Sequence, residues 1–521
     1  MVILKRFVFH PLLFAIFPTL ALLAHNVEEV ALEVAQRPLL YSLSGATLLL
    51  LVAYFVSRNV YRAGLTTTFL LILFFSYGHL YHGIKEIPVV GQIIGRHRFL
   101  LLAYLAFLAL GLWWVWKKVQ NEHNITQVLN VISVAILIYP VFQIVSQIRV
   151  VSEVEEIASV LVAQEEPLEL PDGKNPPDIY YIILDTYTRA DSMSSFFNFD
   201  NTYFLDSLIE MGFYVADCSR CNHCFTQGSL TSSLNLDYLP QLEEIMKAMR
   251  VDPDLLPLVK YSLVRGHLES IGYMTVAFDT GFFWTTITDA DIFLGVDRGS
   301  IFSQLVNPFE MMLIRNSMGL VITDLQLQAL RNTKQVVYEP LKQFPYSGYI
   351  TRQLFILENL PKVVSIPGPK WVFAHISIPH PPRVFMPDGS IVEDPGYYSG
   401  EGGGPVSGEY EIKGYTNEVR FVNDRILNII ESILRRSASP PIIVLQADTG
   451  GPDRTITNIL NAYYLRGEDN PSLYPAVSPV NTFRIIFDTY FGADYGLLPD
   501  RTYFADDPHR PVPETSPLCL N

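Results

Sequence analysis

Three apolar runs of this sequence end in an aspartate. "DIYYIILD" (178–185), "YMTVAFDT" (273–280) and "PPIIVLQAD" (440–448) put Asp185, Asp279 and Asp448 directly after stretches with strand character. Acids that converge at one end of a sheet supply the hard oxygen ligands of a divalent cation. The plainer alternative for each one alone is a cap on a following helix or turn. Their joint appearance favours a site.

The runs show little polar alternation, as do the residues of "KWVFAHISI" (370–378). That pattern fits strands covered on both faces, as in a mostly parallel α/β sheet. "YTNEVRFVNDRILNIIESILRR" (415–436) has apolar residues at helical spacing and leads into the 440s strand. In open α/β sheets the chemistry collects at the carboxyl ends of the strands, where these aspartates stand.

The first third is different. Five apolar stretches run near 7–24, 38–57, 64–83, 99–116 and 127–147. Each is long enough to cross about 30 Å of hydrocarbon as a helix. Residues 1–149 carry 11 Lys and Arg against 5 Asp and Glu, and the remainder carries 26 against 47. An acidic remainder, in a chain of net charge −15, argues against a nucleic-acid partner. Lys5, Arg6, Arg58, Arg62, Lys117 and Lys118 favour a cytoplasmic N-terminus. Five spans then predict a multi-pass protein of the cell membrane with its C-terminal domain outside the cytoplasm. The spans show no obvious buried charge pairs, which argues against a transporter. The expected division is a transmembrane helical domain (1–149), a Glu-rich solvated linker (150–177) and an α/β domain (178–521).

Within that last domain "DIYYIILDTYTRADSM", "FDNTYFLDSLIEMGFYVAD" and "CNHCFTQGSLTSSLNLDYL" resemble the first third of a sulfatase-like domain of the alkaline phosphatase superfamily. "VFAHISIPHPPRVFMPDG", "PPIIVLQADTGGP" and "LYPAVSPVNTFRIIFDTYFG" continue the resemblance in order. The helices before the domain are similar to those of membrane-anchored lipoteichoic acid synthases and phosphoethanolamine transferases. The resemblance implies that Asp185 and Asp448 are metal ligands, that Thr226 is the nucleophile and also touches the metal, and that His380 contacts the substrate phosphate or the metal. It implies a divalent ion, zinc or manganese, and a phosphate-ester substrate on a membrane lipid or envelope polymer. "TQGSLTSSLN" reads as a turn entering a helix, which sets Thr226 where backbone N–H groups and the helix dipole hold a phosphoryl group. "CSRCNHCFTQG" does not fit C-x-P-x-R, which argues against a formylglycine sulfatase.

The sequence departs from the family at one point. Its D-H-G reads D-T-G, so Thr449 stands where a metal-binding histidine belongs. A neutral hydroxyl is a far weaker ligand than imidazole. Three readings follow: a weakened or different metal, compensation by His223 or His375, or a degenerate relative with a binding or structural role. A lone D-T-G also suggests an aspartic protease, but "LDTYT" lacks the glycine of a second copy. Cys218, Cys221 and Cys224 form C-x-x-C-x-x-C, with Cys519 far downstream. An oxidising exterior favours disulfides there, and a metal cluster is the alternative. "EGGGPVSGEY" (401–410) lacks the phosphate-loop lysine and reads as a surface loop.

Overall fold

The computed structural model describes residues 7–27, 30, 32–87, 96–164, 168–170, 176–249, 256–296, 306, 308–324, 346–392, 408–451, 456–465, 472–504, 507 and 509–512. The chain divides into two units, Met1–Ile148 with Asp297–Gly348, and Arg149–Val296 with Tyr349–Asn521.

The first unit is helical. It is built from α1 (His10–His25), α2 (Gln36–Ser57), α3 (Val60–Lys85), α4 (His97–Lys117) and the first part of α5 (Glu122–Gln164). Among the described residues, four helices are long and apolar enough to cross a membrane. α1 is apolar but shorter, at 16 residues. The first turn of α1 has no cap of its own. Asn130 of α5 supplies one, accepting from the His10 N–H at 3.0 Å and donating to the Phe7 carbonyl at 2.8 Å.

The structure differs from the expected 178–521 domain in one respect. A segment from its middle packs in the helical unit. In the helix Pro308–Arg315, Phe309 joins an apolar cluster with Leu23 and Ala35. Arg37 at the start of α2 grips Glu310 through both Nε and Nη2. The Met318 N–H donates to the Phe74 carbonyl at 2.8 Å, and His97 meets Asp324 at 2.8 Å. The expected linker differs too, because α5 continues as helix to Gln164.

The second unit holds a seven-stranded sheet in the order β2-β7-β6-β1-β5-β3-β4. The strands are β1 (Ile179–Leu184), β2 (Tyr214–Val215), β3 (Met274–Phe278), β4 (Ile292–Leu294), β5 (Lys370–Ile376), β6 (Ile442–Gln446) and β7 (Asn461–Tyr464). β1 is parallel to both β5 and β6, and β3 is parallel to β4 and β5. β7 pairs antiparallel with both β2 and β6. Every residue of β1, β5 and β6 is buried, which is why these strands read as unbroken apolar runs. The helix Gly408–Arg436 contains the expected amphipathic stretch and buries Val419, Val422, Ile426, Ile430 and Ile433. Residues 401–407 of the Gly-rich segment lie outside the described residues.

Candidate metal centre

The three central strands stop at the same level. Ile183 pairs with His375 of β5 on one side and with Gln446 of β6 on the other. Asp185 follows β1, and its N–H donates to the Ile376 carbonyl at 3.0 Å. Asp448 lies two residues beyond β6. Parallel register thus brings Asp185, His375 and Asp448 together, with one ligand atom of each within 4.8 Å of the others. All three are buried, at 2%, 0% and 1% exposure.

Thr226 opens the helix Thr226–Leu234, and its hydroxyl is near enough to the Asp448 carboxylate to favour the charged form. Thr186, held at φ 60°, donates its N–H to Asp448 Oδ1 at 3.1 Å. These contacts leave Asp185 Oδ1, Asp448 Oδ2 and His375 Nε2 without hydrogen-bond partners. Nε2 lies 3.3 Å from Asp185 Oδ2. Orphaned buried polar atoms are costly, and here three converge on one spot. Two carboxylates, an imidazole and an adjacent hydroxyl are a donor set suited to a divalent ion.

The electrostatics are divided unevenly. Burial alone would raise the Asp185 carboxyl, but the charge of His380 and then the His375 imidazole outweigh it and hold Asp185 below the usual range. Burial and the neighbouring Asp185 push Asp448 up to about 6. Bringing a cation to such a pair relieves the repulsion. His380 is partly exposed, and its Nδ1 donates to the Pro381 carbonyl at 2.6 Å.

The imidazole of this group comes from His375 and not from position 449. Thr449, the residue after Asp448, is buried. His223, the other candidate substitute, lies elsewhere. It stacks on Tyr503 with centroids 4.9 Å apart, and burial lowers its pKa to about 3. Asp279 does not join the other two acids. Its carboxylate accepts the Gly281 N–H at 3.1 Å in the turn after β3.

Behind His375 stands a group of threonines that the sequence does not single out. Thr285 Oγ1 lies 3.3 Å from Nδ1, and Thr280 Oγ1 lies 2.7 Å from Thr285 Oγ1 and 3.0 Å from Thr286 Oγ1. Such a contact on Nδ1 orients the ring and leaves Nε2 for a metal. Among the cysteines, Cys218 is disulfide-bonded, while Cys221 and Cys224 are buried thiols. Cys519 lies outside the described residues. Arg484 is a structural tie. It donates to the carbonyls of Leu236 at 2.7 Å and Tyr495 at 2.7 Å.

No family model matches the chain, and no curated protein matches it. Solved structures similar to it include the C-terminal periplasmic domain of EcEptC from Escherichia coli, 14% identical, covering 68% of this chain and 97% of that one at a TM-score of 0.41. The periplasmic domain of phosphoethanolamine transferase EptC from Campylobacter jejuni is 12% identical, covering 61% and 89% at 0.33. The integral membrane lipooligosaccharide phosphoethanolamine transferase A from Neisseria meningitidis is 10% identical, covering 89% and 88% at 0.29. Two of these three are phosphoethanolamine transferases, one of them an integral membrane protein, and a putative sulfatase from Bacteroides thetaiotaomicron is also similar, 12% identical, covering 59% and 68% at 0.34.

Proposed function

We propose that this multi-pass membrane protein is a metal-dependent phosphoryl-group transferase or hydrolase, acting outside the cytoplasm on a lipid head group or envelope polymer. The observation that carries this reading is the convergence of Asp185, His375 and Asp448, with Thr226 near Asp448 at a helix start.

Asp185, His375 and Asp448 would hold the cation, and Thr226 would complete its donor set. Such an ion, when bound, makes a threonine hydroxyl a competent nucleophile and offsets charge on the phosphoryl group. The free N–H groups of the first turn after Phe225 receive phosphoryl oxygens. His380 steadies the same phosphate through Nε2. Thr226 Oγ loses its proton and bonds to phosphorus as the bond from phosphorus to the leaving oxygen breaks, and that oxygen takes up a proton. The phosphoryl group then passes from Thr226 to an acceptor alcohol in transfer, or to water in hydrolysis.

Thr449 favours a second reading, a sulfatase-like envelope protein that binds without turnover. The two separate in one experiment. The full chain is incubated in detergent with zinc or manganese and bis(p-nitrophenyl) phosphate, then digested for mass spectrometry. The catalytic reading expects p-nitrophenol release and a phosphate-bearing adduct on Thr226, both absent from Thr226→Ala. Neither signal in the wild type, with metal bound, supports the binding role.

A further inference from the structure

The helical unit contains a cavity of about 830 Å³ with an almost wholly apolar lining. The cavity is open on one side: α2 contributes Arg37 and the exposed Tyr41, Gly45 and Leu49, and α3, α4 and the 308–324 segment form the other walls. These α2 residues are spaced one turn apart, so the slot follows the helix axis. From Arg37 to Leu49 it extends about 18 Å at 1.5 Å per residue. One leaflet of a bilayer holds about 15 Å of hydrocarbon. The polar end is the bidentate Arg37–Glu310 pair, and the far end at Leu49 is apolar.

We propose that this slot binds one acyl chain of a membrane lipid, in the leaflet on the side of the α1–α2 connection. Its length matches one leaflet, and its polar end sits where a chain meets its head group. Water does not fill an apolar cavity of this kind, and hydrocarbon chains are the ligand that surrounds these helices. The guanidinium of Arg37 is already matched by Glu310, so the slot recognises the chain and not an anionic head group. The 308–324 segment supplies a wall of the slot, which gives that excursion of the chain a purpose within the membrane unit. This assignment concerns the helical unit alone and stands whether or not the α/β domain turns over a substrate.

Gly45 provides the test. Gly45 lines the slot, and a Cβ built there meets nothing within 4 Å, so a large side chain has open space to enter. Gly83 of α3 is equally open but is not part of the lining, and it serves as the control. The full-length protein is placed in nanodiscs of phosphatidylcholine or of phosphatidylglycerol, each doped with the same lipid bearing a diazirine near the end of one chain. Photolysis and peptide mapping are expected to concentrate adducts on 41–49 of α2 and the facing walls, to similar extents in both lipids. Gly45→Trp is expected to cut these adducts about tenfold, and Gly83→Trp to leave them unchanged. Gly45→Leu, which fills less of the slot, gives an intermediate loss and guards against misfolding of the Trp variant. Adducts spread evenly over the outer faces of the helices, insensitive to Gly45→Trp, overturn the proposal. So does labelling confined to phosphatidylglycerol.

Discussion

His375 Nε2 lies 3.3 Å from Asp185 Oδ2, a closeness set by the register that pairs Ile183 with His375 across β1 and β5. An imidazole therefore reaches the carboxylates from the strand beside β1, while the position after Asp448 holds a threonine. The proposed account makes His375 the ligand that offsets Thr449. His375→Ala is expected to lower zinc affinity by more than the roughly 10- to 100-fold typical of lost supporting groups. His223→Ala is expected to leave affinity unchanged, because that ring stacks on Tyr503. Competition with a chromophoric chelator measures both.

Thr285 bears on the same ring from the other side, at 3.3 Å from Nδ1. As a positioning residue it is expected to act on affinity and not on ligand count. Thr285→Val should weaken zinc binding about 10- to 100-fold while one ion still binds at saturation, and Thr285→Ser should restore most of the loss. Equal affinity in Thr285→Val and wild type contradicts the role.

Much of this arrangement was legible beforehand, and the reasons are physical. β1, β5 and β6 are buried on both faces, so they read as continuous apolar runs, and the acids after β1 and β6 stand where a parallel sheet gathers its chemistry. His375 was legible only as one of two candidates, because its place opposite Asp185 depends on inter-strand register. Asp279 shared the same local pattern as Asp185 and Asp448, but β3 lies beyond β5, and its acid is used in its own turn. The excursion of 308–324 into the helical unit was hidden because it rests on pairings such as Arg37 with Glu310, 273 positions apart.

Glu418 gives a pH dependence. Its Oε1 accepts the N–H groups of Val384 at 2.7 Å and Phe385 at 3.2 Å, just after the His380 turn, and burial raises its pKa from 4.5 to about 8. The folded state therefore binds this proton more tightly than the unfolded chain. Its stabilising contribution is complete below about 4.5 and is lost as pH rises through about 8. The slope between those limits is at most about 1.4 kcal/mol per pH unit. Glu418→Gln keeps an oxygen acceptor and removes the titration. Melting curves at pH 5 and pH 8 should show the variant losing less stability over that interval than the wild type.

The Arg37–Glu310 pair is buried at 5% and 8% exposure. Removing one partner strands a buried charge, at a cost of about 3–5 kcal/mol. Arg37→Met and Glu310→Leu are each expected to lower the melting temperature of the full-length protein in detergent. The double variant should recover most of the loss, since an apolar pair strands no charge. Additive losses contradict a direct pairing.

The most direct measurement is the metal content of the purified full-length chain, wild type beside Asp448→Ala, His375→Ala and Thr449→Ala, after equilibration with zinc or manganese and desalting. The account expects about one divalent ion per wild-type chain, as the converging ligand set among the described residues requires. That ion should be lost in Asp448→Ala and His375→Ala and retained in Thr449→Ala. No ion above background in the wild type contradicts a metal centre, and loss in Thr449→Ala with retention in His375→Ala contradicts the assignment of the imidazole.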